Sequence, residues 1–149
     1  MQITRQADYA LRAILYLARH ELAKNEPGWR PATTSKIAKE KLIPTSFLAK
    51  IISQLSISGL INTSRGASGG VSLARKPEEI SLLGVVEAID GPITLNECTK
   101  DPSSCLFGDS CSLHEIWCAT QAEMVAKLSA ATFDKLLERE QAKIQSANR

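Results

Sequence analysis

Residues 33–60, TTSKIAKEKLIPTSFLAKIISQLSISGL, decide the fold. Thr33 and Thr34 are favourable N-cap residues, and they predict a short helix that Pro44 brings to an end. A second helix begins directly after Pro44 and ends near Gly59. Its apolar residues recur at helical spacing, at Leu48, Ile51, Ile52 and Leu55. Two short helices joined by a tight turn predict a helix-turn-helix.

A glycine-rich turn follows the helix-turn-helix. Residues 65–70, RGASGG, contain three glycines and one arginine. Two short strand-like runs, at 60–64 and 71–74, flank this turn. Glycine permits positive φ angles and close approach of the backbone, so the pattern predicts a β-hairpin wing. The expected fold is therefore mainly α with a small β-hairpin wing, which is a winged helix-turn-helix.

Four further helices are expected outside this unit. Apolar periodicity predicts them over 4–22, 82–89, 113–131 and 132–137, and residues 138–149 are expected to form a frayed polar tail. The helix from Leu113 to Ala131 spans about 28 Å at 1.5 Å per residue, which is longer than so small a core needs. Its surplus apolar face predicts a homodimer interface.

The charges are strongly segregated along the chain, although the formal net charge is only +2. Residues 1–76 hold twelve Lys and Arg against four Asp and Glu, whereas the remainder holds six against twelve. A basic half of this kind is typical of a surface that meets a polyanion, and the helix-turn-helix makes double-stranded DNA the expected partner. No nucleophile–base pair, paired carboxylates or phosphate-binding glycine loop occurs in a recognisable context, so no enzyme is expected.

The expected DNA contacts lie at three places. The N-terminal turn of the second helix would enter the major groove and contact base edges. Arg65 with Gly66 of the wing would reach a minor groove, and the helix N-terminus at Thr33 and Thr34 would donate backbone N–H groups to a phosphate. The residues of the second helix that face the major groove in this prediction are Thr45, Ser46, Phe47, Ala49 and Lys50.

Three of the four cysteines lie within fourteen residues of sequence. The chain shows neither a membrane span nor a secretory signal, which predicts a cytoplasmic protein whose thiols stay reduced, and metal ligation is then favoured over structural disulfides. Cys98, Cys105 and Cys111 lack the paired knuckles of a zinc ribbon, which favours an iron-sulfur cluster. His114, three residues past Cys111, is the expected fourth ligand, and Cys118 is a spare one.

The residues match a known family at several separate points. These are MQIT at 1–4, DYALR at 8–12, the Arg-Gly and Gly-Gly pairs of the wing, the three-cysteine loop and TFDKL at 132–136. Over nearly its whole length the chain resembles the Rrf2 family of transcriptional regulators. That family includes iron-sulfur-cluster regulators, nitric oxide sensors, iron regulators and cysteine-metabolism regulators. The cysteine loop distinguishes its cluster-binding members from the cysteine-metabolism regulators.

The resemblance implies a homodimeric regulator whose affinity for operator DNA depends on a cluster near the dimer interface. Cys98, Cys105 and Cys111 would supply the three thiolates. His114 matches the histidine of regulators with a 2Fe-2S cluster, whereas Asp8 matches the aspartate that nitric oxide sensors contribute from the partner subunit to a 4Fe-4S cluster. The 2Fe-2S cluster is favoured. The six residues between Cys98 and Cys105, one more than the common pattern, leave the other type open.

The predicted organisation has three parts. Residues 1–80 form a winged helix-turn-helix DNA-binding domain, residues 81–137 form the cluster-binding loop and the dimerisation helices, and residues 138–149 form the polar tail. Two alternative functions stay open: a cluster-free regulator that senses thiol oxidation through a disulfide, and a small electron-transfer iron-sulfur protein. Iron content separates the first alternative from the cluster hypothesis, and salt-dependent DNA affinity excludes the second.

Overall fold

The computed structural model describes residues 2–149, apart from the side chain of Asp109. Within these residues it contains seven α-helices and one two-stranded antiparallel hairpin. In chain order the elements are α1 (Arg5–Glu21), α2 (Thr34–Lys41), α3 (Thr45–Ile57), β1 (Ile61–Ser64), β2 (Gly70–Leu73), α4 (Leu82–Asp90), α5 (Glu97–Lys100), α6 (Ser112–Ala130) and α7 (Phe133–Ala147). This architecture confirms the predicted fold class, mainly α with a hairpin wing.

Helix α1 lies at the centre of the hydrophobic core and contacts α2, α3, α4 and α7. Ala10, Ile14 and Leu17 lie at helical spacing on its inner face and are fully buried. Thr4 caps the helix by accepting a hydrogen bond from a first-turn N–H at 3.1 Å, and its own hydroxyl donates to Asp90 at 2.5 Å. The start of α1 is therefore held against the end of α4.

A leucine in the left-handed region makes the turn between α2 and α3. Leu42 has a φ of 54°, and the Ile43 N–H donates to the Ala38 carbonyl at 2.9 Å. The Ile43 side chain is buried, and Pro44 follows it, so α3 starts in a new direction. The fully buried residues of α3 are Leu48, Ile51 and Leu55. The helix-turn-helix therefore forms at the residues that the sequence predicts.

The wing is bonded to the segment that enters α2. β1 and β2 pair antiparallel, with Ser64 opposite Gly70. Ala32 adds a third short segment, because it exchanges N–H···O bonds of 3.0 and 2.7 Å with Val71. A Cβ at Gly70 would lie 2.6 Å from the Ala32 carbonyl oxygen, so this close approach needs glycine. The wing and the start of α2 thus form one hydrogen-bonded unit.

Helix α6 is the longest helix, yet it buries no side chain within the described part of the chain. Leu113, Ile116 and Trp117 are 66%, 62% and 40% exposed. The helix contacts α4 and α5, but these apolar residues face solvent. Across residues 2–149 no helix is both long and apolar enough to cross a membrane.

The last helix is longer than the sequence pattern predicts. Its buried apolar residues end at Leu137, but α7 continues to Ala147. Residues 138–147 are therefore helical, and the prediction of a frayed tail there was wrong. They are rich in residues with good helix propensity, and Glu140 forms an ion pair with Arg19 of α1.

The core is continuous across the predicted domain boundaries. Buried side chains from Tyr9 in α1 to Leu137 in α7 form a single cluster. Helices α4 and α7 contribute to this cluster together with α1, α2 and α3. The division of the chain at residues 80 and 137 stays a prediction.

Candidate nucleic-acid interface and metal centre

The first turn of α3 faces solvent. Its exposed residues are Thr45, Ser46, Phe47, Ala49 and Lys50. Leu48 points into the core, and the helical register turns these five residues outward. Pro44 occupies the N-cap position, and because a proline side chain accepts no hydrogen bond, the first-turn N–H groups stay available to an external acceptor. All the residues predicted to contact bases are accessible to a duplex.

One backbone N–H group at the start of α2 is already hydrogen-bonded within the protein. Thr33 is the N-cap, and its hydroxyl oxygen accepts a hydrogen bond from the Lys36 N–H at 3.3 Å. Thr34 is half-buried at the first helical position. The remaining first-turn N–H groups of α2 carry the partial positive charge of the helix N-terminus, which favours a phosphate.

The tip of the wing is exposed and positively charged. Arg65 and Gly66 both lie in solvent, and Gly66 has a φ of 101°, which a non-glycine residue rarely adopts. The Gly69 N–H donates to the Gly66 carbonyl at 3.0 Å and closes the turn. In the described part of the chain no ion pair involves Lys36, Lys50 or Arg65, so their charges are open to an anionic partner.

Short helical turns build the cysteine loop. Cys98 lies in α5, and 3-10 turns over 102–104 and 108–110 lead into Cys105 and Cys111. The N–H groups of Cys105 and Cys111 each donate to the first carbonyl of the preceding turn at 3.3 Å. Cys111 then takes the N-cap position of α6. These local hydrogen bonds give the loop more regular structure than an open loop has.

The four predicted cluster ligands line one concavity of about 260 Å³, and they are Cys98, Cys105, Cys111 and His114. Each is half-buried, and the cysteines are free thiols. Among the side chains that the structure describes, which leave out that of Asp109, no three of His, Cys, Asp or Glu lie close enough together to hold a single metal ion. An iron-sulfur cluster takes thiolate and imidazole donors and holds them farther apart than a single ion does. The donor set therefore fits a cluster in its chemistry.

The imidazole of His114 contacts the fourth cysteine. Its Nε2 lies 3.5 Å from Cys118 Sγ, one helical turn later on α6. Cys118 is half-buried, and it is not among the described residues that line the concavity. His114 thus stands between the concavity and Cys118 and touches both.

Asp8 lies on a different surface from the cysteines. Its Oδ2 accepts a hydrogen bond from Arg12 Nη2 at 2.6 Å, and the two side chains are about half exposed. Both side chains line an open depression at the start of α1, together with Gln2 and Leu11. Within one chain Asp8 does not line the cysteine concavity, so Asp8 could reach the cysteines only from a second subunit.

Comparison with known proteins places the chain in a family. The model of the Rrf2 family, described as iron-dependent transcriptional regulators, matches residues 3–139. The chain belongs to the Rrf2 family. The regulator NsrR of Halalkalibacterium halodurans is 30% identical over 94% of this chain and 92% of its own length. The regulator IscR of Pectobacterium atrosepticum is 29% identical over 92% of this chain and 79% of its own length.

A solved structure supports the same fold. The global cysteine regulator CymR of B. subtilis superposes with a TM-score of 0.73 at 23% identity, over 93% of this chain and 98% of its own. The family relationship confirms the resemblance inferred from the sequence motifs. This Rrf2 protein is a transcriptional regulator and not an enzyme, as the sequence predicts.

One contact beside the predicted DNA-contacting residues of this Rrf2 protein does not follow from any sequence pattern. The ring of Phe47 packs edge-on against the ring of Tyr9 in α1, with centroids 6.2 Å apart. Helical periodicity places Tyr9 in the predicted N-terminal helix, but it names no partner for a residue so distant in sequence. An aromatic residue inside the DYALR motif, beside an arginine, is the only signal that could have drawn attention to it.

Proposed function

We propose that this Rrf2 protein reads its operator with the first turn of α3. The observation that carries the proposal is the solvent exposure of every predicted base contact in that turn. The hydroxyls of Thr45 and Ser46 can exchange hydrogen bonds with base edges, and Lys50 can donate to guanine. Phe47 and Ala49 can contact the methyl group of thymine.

The wing and the start of α2 hold the DNA backbone in this proposal. Arg65 inserts into a minor groove, where the adjacent Gly66 leaves room for the backbone to approach. The N–H groups that follow Thr33 and Thr34 bind a phosphate, and Lys36 lies in the same helical turn. Such contacts fix the register of the protein on the duplex without reading sequence.

We further propose that an iron-sulfur cluster controls the affinity for the operator. Cys98, Cys105 and Cys111 supply the thiolates, and His114 is the fourth ligand. The proposal is supported by the concavity that these side chains line, by the iron-dependent regulators of the family model and by the relatives NsrR and IscR. When bound, the cluster supplies a redox-active centre. With the cluster bound, these four ligands would hold the loop against the start of α6.

The position of His114 favours a 2Fe-2S cluster over a 4Fe-4S cluster. His114 lines the cysteine concavity, whereas Asp8 lies elsewhere in the same subunit, paired with Arg12. A 4Fe-4S cluster with Asp8 as the fourth ligand therefore needs a dimer that brings the carboxylate of one subunit to the loop of the other. Cys118 is the third possibility, because it contacts His114 and could replace it.

A homodimer through α6 completes the proposal. Leu113, Ile116 and Trp117 leave an apolar surface on a helix about 28 Å long, and a second copy of the same helix is complementary to it. Crossing two copies of α6 would place two copies of α3 on one duplex. A dimeric helix-turn-helix protein reads two half-sites in this way.

The cluster hypothesis is tested on protein purified without oxygen, with iron and sulfide counted per monomer. We expect a visible chromophore that Cys105→Ala abolishes and that Ser104→Ala, a change in the lining of the same concavity, preserves. About two irons per monomer would support the His114-ligated 2Fe-2S cluster, and about four would support Asp8 and a 4Fe-4S cluster. A Cys105→Ala variant with wild-type absorbance and operator affinity would refute the ligand assignment.

The DNA-binding surface is tested by salt titration. The operator is first recovered as the duplex that the wild-type protein selects from a random-sequence pool. We expect Lys36→Ala to weaken binding to all sequences and to lower the salt slope by about one, because one phosphate contact is lost. Lys50→Ala should instead relax the preference at one base position. Lys143→Ala, an exposed change at the far end of α7, serves as the control.

A cluster-free thiol sensor is the second candidate function. The observation that favours it is the contact between Cys118 Sγ and His114 Nε2 in a protein whose cysteines are free thiols. In this candidate one of Cys98, Cys105 and Cys111 forms an S–S bond with a second cysteine, and the two thiols give two electrons and two protons to hydrogen peroxide, which is reduced to two waters. A colourless protein that cannot be reconstituted with iron and sulfide, and whose operator affinity responds to peroxide, would support this candidate.

A further inference from the structure

A chain of contacts crosses from the exposed start of α1 to the first turn of α3. Asp8 Oδ2 accepts a hydrogen bond from Arg12 Nη2 at 2.6 Å. Arg12 Cζ lies 5.5 Å from the centre of the Tyr9 ring, which is close enough for a cation–π attraction. The Tyr9 ring in turn meets the Phe47 ring with centroids 6.2 Å apart and planes at 63°. Four side chains therefore connect α1 with the surface proposed to read DNA.

The members of this chain differ in how firmly they are held. Tyr9 is 8% exposed and belongs to the hydrophobic core. Phe47 is 45% exposed, and the Asp8 and Arg12 side chains are exposed to a similar extent. Tyr9 is therefore the fixed member of the chain. The orientation of Phe47 depends on the buried ring that covers one side of it.

We infer that Tyr9 is a positioning residue for DNA recognition, which holds Phe47 in one orientation, and that the Asp8–Arg12 pair modulates this contact. The inference rests on the proposed function, because the orientation of Phe47 matters only if Phe47 faces DNA. A ring that is fixed before binding loses less conformational freedom in the complex. Arg12 acts on the same Tyr9 ring, so a change at Asp8 alters the surface that Phe47 meets.

Fluorine NMR on protein labelled with fluorophenylalanine reports on this contact. The chain has three phenylalanines, so Phe107 and Phe133 serve as internal references for Phe47. We expect Tyr9→Leu to shift the Phe47 resonance and to leave the reference resonances in place. Tyr9→Phe keeps the ring, and it is compared with the wild type through DNA affinity alone, because labelling would place a fourth fluorinated ring beside Phe47. A purely structural role of Tyr9 would shift the resonance of the core residue Phe133 as well.

DNA binding is measured with the duplex that the wild-type protein selects from a random-sequence pool. We expect Tyr9→Leu to weaken binding about two- to tenfold, which corresponds to one aromatic pair, and Tyr9→Phe to retain wild-type affinity. In a Phe47→Ala background Tyr9→Leu should have no further effect, because Tyr9 acts through Phe47 alone. Arg12→Gln should shift the Phe47 resonance in an otherwise unchanged spectrum, and Asp8→Asn should shift it less.

Two results would overturn the inference. One is an unshifted Phe47 resonance in both Tyr9→Leu and Arg12→Gln, and the other is an equal loss of affinity from Tyr9→Leu with and without the Phe47 ring. If Tyr9→Leu does not fold, the inference is tested with Arg12→Gln, a change at an exposed residue. A shifted Phe47 resonance together with weaker DNA binding would support the inference, and an unshifted Phe47 resonance would overturn it. A wild-type protein that selects no duplex, with or without iron and sulfide, overturns the proposed function itself.

Discussion

Single residues determine whether the wing can lie against the segment before α2. A Cβ at Gly70 would come within 2.6 Å of the Ala32 carbonyl oxygen and 3.0 Å of the Pro31 carbonyl oxygen. Both neighbours are backbone atoms, so the strand has to move. We expect Gly70→Ala to lower the free energy of unfolding by about 1–3 kcal/mol, as overpacking does, measured by urea titration.

Gly84 offers a matched control for this prediction. It lies inside α4, and the nearest atom to an added Cβ is Ser81 Oγ at 3.5 Å, an ordinary contact. Gly84→Ala should therefore leave stability unchanged or raise it by up to about 1 kcal/mol, because alanine is the better helix former. Equal losses in the two variants would contradict the close approach at Gly70.

The raised pKa of the buried Tyr16 phenol predicts a loss of stability at alkaline pH. Burial raises the pKa of its phenol above the ordinary value, and the carboxylate of Glu40 raises it further. The folded state then favours the protonated phenol, so the contribution of Tyr16 to stability is complete below about pH 10 and is lost as the pH rises through the folded pKa. Tyr16→Phe should flatten the alkaline decline of the free energy of unfolding, measured in urea. A decline as steep as that of the wild type would show that other groups cause it.

At the scale of elements, local signals determine how much the sequence can predict. The caps at Thr33 and Thr34, the stop at Pro44 and the glycines of the wing act on the nearest residues, and the helix-turn-helix and the hairpin form where they indicate. The extension of α7 combines good local helix propensity with the ion pair of Glu140 with Arg19, whose partners are distant in sequence. The apolar periodicity of the sequence cannot predict an ion pair between residues so far apart in the chain.

In the candidate site, too, the sequence predicts local contacts but not contacts between distant residues. The i, i+4 spacing of His114 and Cys118 predicts a shared helix face, and the two side chains lie in contact. The contact between the Phe47 and Tyr9 rings joins two helices, and it forms only because α3 packs on α1. The arrangement of the loop cysteines also depends on non-local packing, because three short turns have to fold against α6 together.

The turn of the helix-turn-helix is a place where one substitution should stabilise an element. Leu42 is 82% exposed and has a φ of 54°, a conformation that costs a non-glycine residue about 1–2 kcal/mol. We expect Leu42→Gly to raise the free energy of unfolding by about 0.5–1 kcal/mol. Glycine removes the backbone strain, but it also increases the entropy of the unfolded chain, which offsets part of the gain. Thermal unfolding followed by circular dichroism measures this change.

Leu22 is the matched control for Leu42. It is also an exposed leucine at the C-cap of a helix, but its φ is −59°, in the right-handed region. Leu22→Gly therefore relieves no strain and should destabilise the protein by about 0.5–1 kcal/mol. A gain in stability for both variants would mean that glycine stabilises either helix end, and that relief of the left-handed strain at Leu42 is not the cause.

At the scale of the whole molecule, α4 lies between the cysteine loop and the surface proposed to contact DNA. It contacts α1, α3 and α6, and the loop is bonded to α6 where the Leu95 N–H donates to Gln121 Oε1 at 2.9 Å. A ligand shifts a conformational equilibrium only if it binds the two conformations with different affinity. A cluster that favours one arrangement of the loop and α6 could change the position of α3 through α4, which contacts both helices, or through the partner subunit of the proposed dimer.

The last prediction concerns the dimer that this coupling needs. Ile116→Glu places a charge in the apolar face of α6 that the proposed dimer would bury, so we expect a monomer by sedimentation equilibrium. Ile57→Glu, at a still more exposed isoleucine outside α6, should leave the proposed dimer intact. The monomeric variant should also lose operator affinity without any change in the first turn of α3, because each copy then binds a single half-site. A dimer that survives Ile116→Glu would place the interface elsewhere, and operator affinity that survives in a monomer would remove the need for two half-sites.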